Sequence, residues 1–221
     1  MTEMLSSATE FVKTGASEEE AAQLAKVAEL YRNVADAEIS SAESANFLIS
    51  QIKAFNIEAK DSINIIDQVN EIANRFSVGS NDLQLALQTS SSTLGTLGNN
   101  LSEVVGMLTA GQEIIVSQPQ RVGRGLRSIG LELNKMAQET DVLTNSTGEV
   151  NVAFKDTNGE LKNTFQILSE LYPQWIKLNN EQKANLANQV AGKPSCRACI
   201  GLINGKGGMT THNCISYYMV A

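Results

Sequence analysis

The sequence predicts an all-α protein, mainly α throughout, in which helical hairpins pack as an irregular bundle with one small β-hairpin near 150-161. Three observations carry that prediction. Hydrophobic residues make up 42% of the chain but aromatics only 5%, so the core has to be built from aliphatic stripes on helices more than from stacked strands. Apolar residues recur at three- and four-residue steps over most of the length, which is the period of a helix with one buried face. Only three prolines interrupt the chain.

The elements follow in order. Strong helix signals begin at Ser17-Glu18-Glu19-Glu20, where Ser17 caps the free amides of the first turn and Glu20 reaches back to complete a capping box. Ala21, Leu24, Ala25, Ala28 and Tyr31 then share one face. A second helix starts near Ser40 or Ser41 and turns Phe47, Leu48, Ile52 and Phe55 inward. A third, from about Glu58 to Asn74, carries Ile63, Ile66, Val69, Ile72 and Ala73, with Phe76 closing the stripe. The short Asn56-Ile57 connection predicts that these two helices are antiparallel neighbours.

Further helical segments are expected over Asn81 to Gln88, Leu101 to Ile115 and Gln120 to Gln138, punctuated by Gly79, Gly95, Gly98 and Gly111. A faint internal duplication lays Ser41-Ala42-Glu43 over Ser80-Asn81-Asp82 and Asp61-Ser62-Ile63 over Glu103-Val104-Val105. Coincidence between two amphipathic hairpins of equal period explains it equally well. The period changes to two at Val150-Asn151-Val152-Ala153-Phe154. Asp156-Thr157-Asn158-Gly159 then suits a tight reversal returning through Glu160-Leu161. Helices from about Thr164 to Leu171 and Glu181 to Val190 complete the main body.

Composition narrows the function classes. The net charge of -7 argues against a phosphate-backbone partner, because such binding depends on Lys and Arg that displace counterions. The local exception is Arg121, Arg124 and Arg127, of which Arg124 and Arg127 share a helix face; a solvated face is the plainer reading. No apolar run approaches the roughly 20 residues that span a bilayer. The start, MTEMLSSATEF, has an acidic residue where a signal peptide carries positive charge, which leads us to expect cytoplasmic synthesis. Residues 1 to 195 hold no cysteine, so no disulfide framework is expected there.

Several pieces in a fixed order resemble the core domain of phage tail tape-measure proteins. They are GASEEEAAQLAKVAELYRNV, then SSAESANFLISQIKAFNIEAKDSINIIDQVNEIAN, then a second hairpin ending in Ala110-Gly111. Gly125-Leu126-Arg127 follows where the family often has Ala-Leu-Arg, and NVAFKDTNGELKNTFQILSEL and NNEQKANLANQVAGK close the series. The resemblance runs from about Glu18 to Lys193 and rests on collinear order, since each piece alone occurs in unrelated helical proteins.

The resemblance implies a structural protein without enzymatic activity or cofactor. It would lie extended in the lumen of the virion tail, set tail length as tube protein polymerises around it, and leave during DNA ejection. The implied partners are tail tube protein, tail assembly chaperones, baseplate proteins and further copies of itself, with no specific nucleic acid. The implied location is the virion tail, and the host cytoplasm during assembly. Family members are usually much longer than this chain.

The expected domain division is a helical core at 1-193 and a non-family tail rich in Cys and Gly at 194-221, reading like a frame-shifted or disordered ending. That tail holds all three cysteines and the single histidine. Cys196-x2-Cys199 with His212-x-Cys214 supplies the four donors a tetrahedral zinc site needs. The second pair has too tight a bite for a common finger, so we assign no metal site and keep Cys196, Cys199, His212 and Cys214 as the zinc alternative. The tail also lacks the strand-helix context of a redox Cys-x-x-Cys. GLINGKGGMTT at Gly201 to Thr211 fails the phosphate-loop pattern, because Gly201 and Gly205 are one position too close and Gly207 follows Lys206. Glu18, Glu19, Glu58 and Asp61 read as cap and solvent residues. A generic helical adaptor remains the other alternative.

Overall fold

The computed structural model describes residues 2–145 and 147–191, and it holds nine α-helices among them. These are α1 (Thr2–Lys13), α2 (Glu18–Val34), α3 (Ser41–Phe55), α4 (Ile63–Arg75), α5 (Ser80–Thr96), α6 (Leu101–Gln112), α7 (Pro119–Glu139), α8 (Thr164–Trp175) and α9 (180–191). Strands β1 (Val142–Thr144) and β2 (Asn151–Ala153) pair antiparallel, with Leu143 opposite Val152 and both buried. The mainly α class with a small hairpin is therefore as the sequence predicts.

One device starts most of these helices. Ser17 with Glu20, Ser40 with Glu43, Asn100 with Glu103 and Asn163 with Gln166 all close reciprocal capping boxes. Asn179 and Gln182 exchange the same pair of bonds at the start of α9. Each satisfies two amides that the first turn leaves without intrahelical partners, stabilising its helix by about 1 kcal/mol. Helix α5 has no such box, and its cap residue, Gly79, has no side chain to offer. Asp36 substitutes from the α2–α3 connection: its Oδ1 accepts from the Asn81 amide at 2.9 Å and the Ser80 hydroxyl at 2.7 Å.

Helix α5 is the axis of the bundle, with α3, α4, α6 and α7 packed around it. Its Thr-Ser-Ser-Ser-Thr run looks like a loop by composition, yet it is helical. The buried serine hydroxyls are satisfied inside the bundle: Ser90 donates to the Ala86 carbonyl at 2.9 Å and Ser91 to Gln51 Oε1 on α3 at 2.6 Å. Small residues at these positions let backbones approach closely. A Cβ on Gly95 would overlap the Ala54 carbonyl of α3, and one on Gly123 of α7 would overlap the Thr89 hydroxyl and the Ala86 carbonyl. Gly95 and Gly111 thus lie within helices instead of punctuating them.

The apolar faces meet in one continuous core. The predicted stripe of α2, Ala21, Leu24, Ala25, Ala28 and Tyr31, is buried, and the Tyr31 ring packs against Phe47 with centroids 5.1 Å apart. Helix α6 is enclosed on every side, every residue from 104 to 112 being buried. A helix apolar all round belongs in an interior.

Four expectations need correction. Helices α3 and α4 are not packed neighbours: Asn56 turns into the left-handed region, a 3-10 turn at Ala59–Asp61 follows, and α5 takes the position beside α3. In the predicted hairpin, the main partner of β2 is the preceding strand β1, not the segment after it. The predicted reversal exists, with Gly159 at φ 85°, and its two arms pair at the Lys155–Leu161 bridge. Helix α8 runs past Leu171 and through Pro173 to Trp175, whose side chain is fully buried. Helix α1 precedes the first predicted helix and packs on α2 and α3.

Candidate interaction surfaces

The four zinc-ligand candidates, Cys196, Cys199, His212 and Cys214, and the Gly201 to Thr211 loop lie outside the described residues. Among the described residues no group of three or more His, Cys, Asp or Glu is placed to hold a metal ion. Several of the carboxylates that are drawn into contacts have helix-building roles. A backbone hydrogen bond from Ser17, joined by its hydroxyl, holds the Glu20 carboxyl below its ordinary range. The Ser40 hydroxyl and amide do the same for Glu43. For Asp36, burial pushes upward, but hydrogen bonds from Asn81 and Ser80 outweigh it and the net direction is down. Glu113, just beyond α6, is pushed up by burial.

What the molecule offers a partner is surface. Three regions carry apolar side chains that the fold leaves outside. On the α1–α2 hairpin these are Met4, Leu5, Val12, Leu30 and Val34. Leu5 and Val12 are two turns apart on the side of α1 away from its buried Phe11. Scattered apolar residues are ordinary on a protein surface, and this spacing alone identifies no ligand.

The second region is a groove of about 270 Å³ where the end of α5, the middle of α7 and the start of α8 converge. Leu97, Leu133, Ala137, Leu161 and Ile167 form its apolar lining, with Asn134 and Lys162 as polar lining groups. Close approach builds it, for a Cβ on Gly130 would lie 3.0 Å from both Leu94 and Leu97 and 3.1 Å from Thr164. Asn163 fixes its end by donating from Nδ2 to the Gly98 carbonyl at 3.2 Å and to the Glu103 carboxylate. Asn99 Oδ1 accepts from the Phe165 amide at 3.0 Å. Lys162 is held by Glu170 at 2.7 Å, so its charge is already partnered.

The third region is the outer face of α7. Its inner face buries Val122, Leu126, Ile129 and Leu133, while Arg121, Arg124, Arg127 and Leu131 are exposed. In the Gly125-Leu126-Arg127 signature, the first two residues therefore serve packing and the arginine faces water. Arg121 donates to Gln118 Oε1 at 3.0 Å, and Lys135 lies 4.0 Å from Glu132. Arg124 and Arg127 share an exposed face, as their spacing predicts.

No helix of the described residues is long and apolar enough to cross a membrane. A family model described as phage-related minor tail protein matches residues 1–192, which takes in the helical body from α1 to α9. No solved structure matches the chain.

Proposed function

The chain belongs to the phage-related minor tail protein family, and from that premise we propose that it is the core domain of a tape-measure protein, which sets tail length and supports assembly of the tail tube. The family supports a structural role in the phage tail; the length-setting role is our reading. The observation that carries it is the family match across the entire helical body, joined to the collinear pieces that end in Ala110-Gly111, Gly125-Leu126-Arg127 and the closing helix. In this reading residues 1-193 form the tape-measure core and 194-221 a separate ending. The partners are tube protein, assembly chaperones, baseplate proteins and further copies of the chain. The site of action is the virion tail, reached after synthesis and assembly in the host cytoplasm.

The mechanism is geometric. A helix rises 1.5 Å per residue, so a polypeptide lying along a growing tube carries a fixed length from one end to the other. Tube subunits add until that length is covered. No bond is made or broken in the protein, and its work is done by the surfaces it presents. The test is to inactivate the gene in its phage and image the particles by electron microscopy. The reading expects uniform tails to be lost, with tubes absent or of scattered length, and restored by the intact gene. Tails of unchanged and uniform length without the gene product would overturn it.

A further inference from the structure

We infer that the outer face of α7 is a docking surface for an acidic, partly apolar helical segment of another protein. Arg124, Arg127, Leu131 and Lys135 follow one another at three- and four-residue steps, which places them in a single stripe along the helix. Arg121 flanks it. All are exposed, and Leu131 retains 47% of its accessible surface in the middle of the stripe.

The arginines of the stripe differ from the other described arginines. Arg32 and Arg75 are held by Glu29 and Glu71 of their own helices. Among the lysines, Lys13, Lys60, Lys155 and Lys162 have carboxylate partners, as does Lys135 of the stripe, 4.0 Å from Glu132. Among the described residues neither Arg124 nor Arg127 has an ion-pair partner, and the contact of Arg121 is to a neutral amide. These three positions carry the guanidinium group, whose planar fork binds carboxylates through two parallel bonds and is enriched in protein interfaces. They are concentrated on one helix of a chain whose net charge is -7.

Charge complementarity requires an anionic occupant, and two features favour protein over nucleic acid. An exposed leucine in the centre of the stripe adds nothing to a phosphate contact but buries well against an apolar side chain. The net charge of the whole molecule opposes a polyanion at long range while leaving short-range pairing with a few carboxylates intact. In the segment that precedes α7, Ile114 and Val116 are exposed as well, at 40% and 69%. A helix with glutamates at three- and four-residue steps and a leucine edge matches the stripe. This inference stands apart from the tape-measure reading and would hold for any tail protein with this face.

The experiment uses the full chain and three probes in fluorescence anisotropy. These are a labelled helical peptide with that glutamate-leucine pattern, the same peptide with lysine for glutamate, and a short DNA duplex. The acidic peptide should bind the native protein, and Arg124→Glu with Arg127→Glu should weaken it by about tenfold or more. That variant should take the lysine peptide instead. Leu131→Ser should weaken the acidic peptide by about threefold. Circular dichroism of each variant verifies that the helices remain. An acidic peptide that does not bind, binding indifferent to the charge reversal, or a duplex that binds more tightly than the peptide would each overturn the inference.

Discussion

Helices α6 and α7 are neighbours in sequence and both rich in glycine and aliphatic residues, but the fold treats them in opposite ways. Helix α6 has no solvent face, and the residues of its run Val104 to Gln112 are all buried. Helix α7 is divided lengthwise: glycine and aliphatic residues on one side seat it on α5, and arginines on the other meet water. The comparison teaches that a residue type does not carry its role with it. Gly106 in α6 has open space where a Cβ would go, whereas Gly123 in α7 has the Ala86 backbone. The enclosed helix gives the domain its stability, and the divided helix couples that stable body to whatever lies outside it.

The comparison can be broken at its enclosed end first. Leu108 of α6 is fully buried, so Leu108→Ala should cost about 3 kcal/mol through lost burial and a residual cavity, read as a lower urea midpoint. Next comes the seat of α7. In an open helix, Gly to Ala gains about 1 kcal/mol; at Gly123 overlap with α5 should reverse the sign, to a loss of about 2 kcal/mol in the same assay. A stabilising Gly123→Ala would show that α5 and α7 are not in backbone contact.

Smaller effects sharpen it. Asp36→Ala should remove the borrowed cap of α5 and cost about 1 kcal/mol. Because the folded-state pKa of Asp36 is depressed, its contribution is fully present above its unfolded value, near pH 4, and is lost as pH falls through the lower folded value. Acid titration of stability should therefore be shallower in the variant than in the native protein. Gly106→Ala, filling open space on a helix, should raise stability by up to about 1 kcal/mol, the opposite of Gly123→Ala.

Much of this architecture was legible because its signals are local. Ser17 with Glu20 marks a helix start by chemistry that acts within one turn, and the stripe from Ala21 to Tyr31 identifies its buried face. What sequence reading missed depends on neighbours. Helix α1 buries Ser7 beside Phe11, with the Ser7 hydroxyl bonded to the Ser41 carbonyl, so its inner face shows no apolar stripe. The predicted helix stops at Gln88, short of the serines of α5, because the value of Ser91 lies in its fit against Gln51 of α3. Strand β1 has only three residues, too few to display a period, and its place is set by pairing with β2. Arg124 and Arg127 could be placed on one face, while their lack of ion-pair partners became visible only with the surrounding carboxylates in place.

The most direct test of the divided helix is urea unfolding of the Arg124→Glu, Arg127→Glu protein beside Gly123→Ala and the native chain. Two exposed charge reversals without internal partners should move stability by less than about 0.5 kcal/mol, while one added methyl on the opposite face lowers it several times as much. A reversed order, with the arginine variant unfolding first and Gly123→Ala unchanged, would contradict the assignment of one face to the fold and the other to a partner.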